Sequence, residues 1–241
     1  GSSKNTYGTG SFVLMNVGTT CPQPTEGMLT TVAWDLGTGE TTYALEGAIF
    51  VTGSAIQWLR DGINIIDHAS QIGPLAESVA STGGVVVVPA FTGLGSPWWD
   101  PYARGAILGI TRGTTSAHIA RAVVESIAFQ TRDVVDAMTS AAGVSVTDMR
   151  VDGGAAVMDI LLQLQANQLG VNVLRPRELE TTAMGAAYLA GLAEGVWTSL
   201  QSVTDAWQLD QQFAPSLSGT ESNDYAQWKR AVSRSLQWAR D

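Results

Sequence analysis

Residues 116–138 read as a long amphipathic helix with Ile119, Val123, Ile127 and Val134 on its buried side, and the chain differs in kind before and after it. Before it, apolar or β-branched runs at 10–16, 28–35 and 40–45 read as strands. The last two are joined by hairpin chemistry at Asp35-Leu36-Gly37-Thr38-Gly39. Residues 50–66 then switch to a helical period, with Ile56, Leu59, Ile63 and Ile66 on one face, and 85–88 is a short buried strand. After the long helix, strands at 149–151 and 171–174 alternate with helices at 157–169 and 182–194. A terminal helix is expected over 223–240, and 208–222 is the one loose connector. Antiparallel strands followed by such alternation make an α/β layered domain, a mixed β-sheet flanked by helices.

With 241 residues the chain has room for a large core. Thirteen basic against 22 acidic side chains give a formal charge of −9, which argues against nucleic acid or an anionic membrane as a partner. A single cysteine, Cys21, excludes an internal disulfide and reads as a loop thiol. With only His68 and His118 besides, a zinc site is not expected. The most apolar windows, 83–91 and 183–193, fall short of the roughly 20 residues of a membrane span. With no secretory signal, the expected location is cytoplasmic. Gly1-Ser2-Ser3 reads as a cloning scar, which leaves 4–241 as one domain.

Three turns carry candidate chemistry. In Thr6-Tyr7-Gly8-Thr9-Gly10-Ser11-Phe12, two glycines flank a threonine, so backbone N–H groups and a hydroxyl can approach an anion closely. Val151-Asp152-Gly153-Gly154-Ala155 runs from a strand into two glycines and a helix, where amides carry partial positive charge. Gly53-Ser54-Ala55-Ile56-Gln57 is a small-residue helix entry. Taken singly, each reads more simply as a hairpin, a strand-to-helix turn or a close helix contact. No Gly-Lys-Ser/Thr P-loop, Gly-x-Ser-x-Gly elbow or Gly-x-Gly-x-x-Gly opening of a βαβ unit occurs. Asp152 either organises its turn, the favoured reading, or reaches a metal's water shell. Trp98 and Trp99 read as packed anchors of a Gly/Pro-rich loop before a sugar platform, and His118 as a surface or capping residue.

Together these segments resemble the FGGY carbohydrate kinases, and within them the branch that phosphorylates glycerol. The resemblance runs in order through residues 4–12, 43–48, 56–61 and 89–105, with the last including Trp98-Trp99-Asp100-Pro101. It continues through Gly105-Ala106-Ile107-Leu108-Gly109-Ile110, a seven-residue gap, and His118 to Glu125, then Arg150-Val151-Asp152-Gly153-Gly154 and residues 180–188. It implies the actin-like ATPase (ribonuclease H-like) fold, in which two related domains close on MgATP, with this chain as the second. By matched position Gly8, Thr9 and Gly10 hold phosphates. Gly53, Gln57, Gly153, Gly154, Ala155 and Met158 meet the nucleotide, and Phe12 meets the carbon backbone of glycerol. Met158 stands where the family has an asparagine that bonds adenine, so edge recognition loses a hydrogen bond of order 1 kcal/mol.

The resemblance further implies transfer of the γ-phosphoryl group of ATP to glycerol, with the base and the Mg²⁺-associated carboxylate on the chain's own N-terminal domain. No catalytic or metal residue is expected here: no Asp or Glu precedes Glu26, and the chain by itself is expected to be silent. A homodimer is implied by family habit alone. The alternatives are a kinase of the same family acting on a ketose or sugar acid, or a non-catalytic actin-like binding module.

Overall fold

The computed structural model describes residues 1–216, 219 and 221–240; part of the 208–222 connector thus lies outside it. β1 (Ser2–Tyr7) and β2 (Ser11–Gly18) form one antiparallel hairpin, and β3 (Leu29–Asp35) and β4 (Thr41–Ile49) a second. There follow α1 (Gly53–Asp61), α2 (Ile72–Glu77), a small ribbon of β5 (Val86–Val88) and β6 (Ala106–Leu108), and the long α3 (Ser116–Ala142). Next come β7 (Asp148–Gly153), a 3₁₀ turn at Gly154–Val157, α4 (Asp159–Leu169), β8 (Asn172–Pro176), α5 (Thr181–Ala193), α6 (Leu200–Ala206), β9 (Leu209–Phe213) and α7 (Glu221–Ser235). Among the described residues the main sheet runs β3-β4-β2-β1-β7-β8-β9, antiparallel at both flanks and parallel from β1 through β8.

Several expectations need correction. Ser2 and Ser3 are the first residues of β1, and the buried Ser3 donates its hydroxyl to the Asp148 carbonyl at 2.8 Å. β1 lies at the centre of the sheet, between β2 and β7. The helix expected over 50–66 stops at Asp61, because Gly62 and Ile63 turn back on the Trp58 carbonyl, and Ile63 is exposed. The 208–222 connector holds an edge strand, β9, whose polar centre Asp210-Gln211-Gln212 hides its strand character. His118, by contrast, is the capping residue expected, its Nδ1 accepting the Thr115 N–H at 3.1 Å.

The core lies on one face of the sheet. Tyr7, Val13, Met15, Leu45 and Met149 point from the strands into the inner faces of α3 and α4, where Val123, Ile127, Val134, Leu161 and Leu162 meet them. Gly47 lies so close under Val134 that a side chain there would collide with it. Strand alternation sends Lys4, Thr6, Phe12, Leu14 and Arg150 to the opposite face, where, among the described residues, Phe12 is left half exposed at β2. There α5, an apolar helix of which only Gly191 is buried, and the Trp207 ring under Arg150 border an open recess of about 540 Å³. Among the described residues no helix is long and apolar enough to cross a membrane.

Candidate functional site

Parallel pairing of β1 with β7 sets Tyr7 opposite Gly153, so two turns leave the sheet side by side. Gly153 sits at φ +83 and passes so close to the Tyr7 carbonyl that a Cβ would collide with it. Its N–H donates to the Leu179 carbonyl at 3.0 Å. Gly154 beyond it is exposed, with open space where a side chain would stand. Beneath, the buried Tyr7 hydroxyl donates to Gln165 at 3.2 Å and Gln165 donates to the Ala128 carbonyl. Burial pushes the Tyr7 phenol well above its usual range, so it remains a neutral donor.

The first turn is fastened to α1. Gly53 N donates to the Gly8 carbonyl at 3.0 Å, and the Thr9 carbonyl accepts from Thr52 N, Ser54 N and the Ser54 hydroxyl at 2.9–3.0 Å. A Cβ on Gly53 would stand 2.6 Å from the Gly8 oxygen, which is why the helix begins on glycine. The first amides of α1 are thereby spent on the turn. What the turn leaves outward is the Thr9 N–H and hydroxyl, neither of which has a protein partner among the described residues. Thr9 is thus an exposed threonine with its carbonyl tied inward and two donors unspent.

The structure thus brings Gly8, Thr9, Gly10, Gly53, Gly153 and Gly154 to one end of the sheet. Gln57 is exposed one turn along α1 from Gly53. Ala155 is buried in the 3₁₀ turn, while Met158 ends that turn and packs towards Gly73 of α2. Phe12 is half exposed on the face opposite the core with Thr6 as cross-strand neighbour.

Asp152 is almost wholly buried and pairs with Lys4 at 2.9 Å, its second contact being the Thr181 hydroxyl. It ties β7 to β1 and to the first residue of α5. Its Oδ1 is buried without a partner. Trp98 and Trp99 are anchored, their ring N–H groups donating to Asp133 at 3.3 Å and to the Gly27 carbonyl at 2.9 Å. Sequence reasoning missed the supports of the first turn: Ser11, Thr52, Ser54 and Gln165. The threonine one residue before Gly53 was the available signal.

The model of the FGGY family of carbohydrate kinases, C-terminal domain, matches residues 3–194. Over all 241 residues the chain is 54% identical to a glycerol kinase of Saccharolobus islandicus, and over 239 residues 56% identical to glycerol kinase 2 of Thermotoga maritima. It spans about half the length of these curated relatives, 48% of each. Among solved structures, a Plasmodium falciparum glycerol kinase with ADP superposes with a TM-score of 0.90 at 36% identity, over 97% of this chain and 47% of that one. A gluconate kinase from Lactobacillus acidophilus, at 21% identity and a TM-score of 0.78 over 97% of this chain and 46% of that one, shares the fold.

Proposed function

Since the chain belongs to the FGGY family of carbohydrate kinases, we propose that it forms the nucleotide-binding half of an enzyme transferring the γ-phosphoryl group of ATP to glycerol. The observation that carries this reading is the Thr9 turn, with its carbonyl turned in and its amide and hydroxyl turned out. In this role Gly8, Thr9 and Gly10 receive the β- and γ-phosphates. Gly53, Gln57, Gly153, Gly154, Ala155 and Met158 border the nucleoside, and Phe12 offers an apolar face to the CH groups of glycerol.

Phosphoryl transfer depends on positioning and on neutralising charge spread over the phosphate oxygens, which fixed amides supply without reorganising. A hydroxyl of glycerol attacks the γ-phosphorus, ADP leaves, and the hydroxyl proton passes to a base. The described residues suit the phosphate part of this task. Asp152, the carboxylate beside the Gly153 turn, is occupied by Lys4 and Thr181 and is poorly placed to act as that base. Nor is there, among the described residues, a group of three or more His, Cys, Asp or Glu able to hold a metal.

The base and most hydroxyl-binding groups fall to the other half of the relatives' length. The exposed face around Phe12 and the uncovered apolar α5 suit docking of that half, because an apolar helix left exposed implies a covering surface. The test is ADP release by the full-length protein with glycerol, ketoses and sugar acids as acceptors. Glycerol should be preferred, and Thr9→Ala should lower kcat/KM by roughly 10²-fold. A ketose or sugar acid outpacing glycerol would refute the acceptor, and an unaffected Thr9→Ala variant would refute the site.

A further inference from the structure

The hydroxyls of Ser11 and Thr52 meet at 2.7 Å under the Thr9 turn, and both residues are fully buried. Thr52 is the N-cap of α1, where a threonine hydroxyl ordinarily accepts an N–H of the first turn; here it makes no such bond. The cap is supplied by the Thr9 carbonyl, which takes the Thr52 and Ser54 amides and the Ser54 hydroxyl. The turn caps the helix and the helix anchors the turn. On the other side of the β4–α1 link, the buried Gln130 of α3 donates to the Val51 carbonyl at 3.2 Å.

We infer that Ser11 and Thr52 are positioning residues for the phosphate-binding turn, which rests on the reading of that turn given above. Their bond joins the first residue of β2 to the residue before α1, spanning the base of the Gly8-Thr9-Gly10 loop. With that base fixed, the Thr9 carbonyl stays directed at the α1 amides and the Thr9 N–H and hydroxyl stay directed outward. Neither positioning hydroxyl reaches solvent, so neither touches a nucleotide, and any effect on binding passes through Thr9. Removing one hydroxyl leaves the other buried without a partner, which it relieves by dragging the turn or the helix start towards a new one.

The test uses the full-length protein, with ADP binding by calorimetry, KM for ATP and glycerol, and melting temperature. Thr52→Val and Ser11→Ala should each weaken ADP binding and raise the KM for ATP roughly tenfold, the scale of one buried hydrogen bond left unmade. The KM for glycerol should move less than about twofold, because Phe12 is held by the backbone pairing of β2 with β1 and β4, which the loss of a side-chain hydroxyl leaves in place. Thr52→Ser, which keeps the hydroxyl, should restore ADP affinity to within about twofold of native. The double variant should be no worse than either single one, since the pair is lost only once. A lowered melting temperature with native ADP affinity would mean plain packing and overturn the inference. So would equal rises in both KM values, or failure of Thr52→Ser to restore binding. Should Thr52→Val not fold, Ser11→Ala and Thr52→Ser carry the same comparison. If the native protein binds no ADP, the function proposed above falls and this inference with it; native binding with unchanged variants sinks this inference alone.

Discussion

Replacing Asp133 with alanine should cost about 3–5 kcal/mol of folding stability, the range for breaking a buried charged network from one side. Asp133 lies on α3, 3% exposed, and gathers four donors from two distant segments. Oδ1 accepts from the Tyr225 hydroxyl at 2.6 Å and from Lys229 Nζ at 3.4 Å. Oδ2 accepts from the Trp228 ring N–H at 2.8 Å and the Trp98 ring N–H at 3.3 Å. Burial, and then the neighbouring carboxylate, push the Tyr225 phenol far above its ordinary range, so it remains a donor at any working pH. Alanine would leave the fully buried Trp228 N–H and the Tyr225 hydroxyl unmatched, each worth about 1–3 kcal/mol. Lys229 is nearly half exposed and finds water, so its ion pair adds little. Asp133→Asn separates these contributions: with its oxygen in the Oδ2 place it keeps both indole bonds and loses the Tyr225 acceptor, at about 1–2 kcal/mol. Urea unfolding of the chain, followed by tryptophan fluorescence, measures both. An alanine cost below about 1 kcal/mol, or an asparagine cost equal to alanine's, would refute the reasoning that unmatched buried donors set the penalty.

Gly53→Ala should weaken ADP binding more than tenfold while leaving melting nearly unchanged, since its Cβ meets the Gly8 carbonyl but alanine favours helix by about 1 kcal/mol; calorimetry and melting together check this. Gly153→Ala should lose about 1–3 kcal/mol in thermal unfolding, because it must hold a positive φ against the Tyr7 backbone. Burial opposes ionisation of Asp100, yet the N–H groups of Gln237, Tyr102 and Ala103 outweigh it and hold the carboxyl below its usual range. A depressed folded pKa gives stability that is present above the unfolded value near pH 4 and lost as pH falls through the folded one. Asp100→Asn should therefore flatten the acid limb of a stability–pH profile below about pH 4, and an unchanged limb would count against this.

What the sequence makes legible here follows from which interactions are local. The hairpin at Asp35 to Gly39 and the buried stripe of α3 are written in residues a few positions apart, so period and turn chemistry suffice to find them. The Gly8-Thr9-Gly10 and Gly153-Gly154 turns are visible as glycine clusters for the same reason. That they stand together is a property of β1 pairing parallel with β7 across some 145 positions, which only the ordered resemblance to a known family anticipates. The supports of the site are less legible still. Ser11 and Thr52 are 41 residues apart, Tyr7 and Gln165 are 158 apart, and each residue alone is an ordinary polar side chain. β9 escapes notice because four of its five residues are exposed and only Phe213 reaches the core, so it carries no alternation to read. Met158 shows the limit from the other direction: as a departure from a family pattern it marks the adenine edge, yet in the fold its side chain is turned to Gly73 of α2. On the nucleotide-binding role proposed above, base selectivity would rest on surface shape beside Gly154 more than on a hydrogen bond from residue 158.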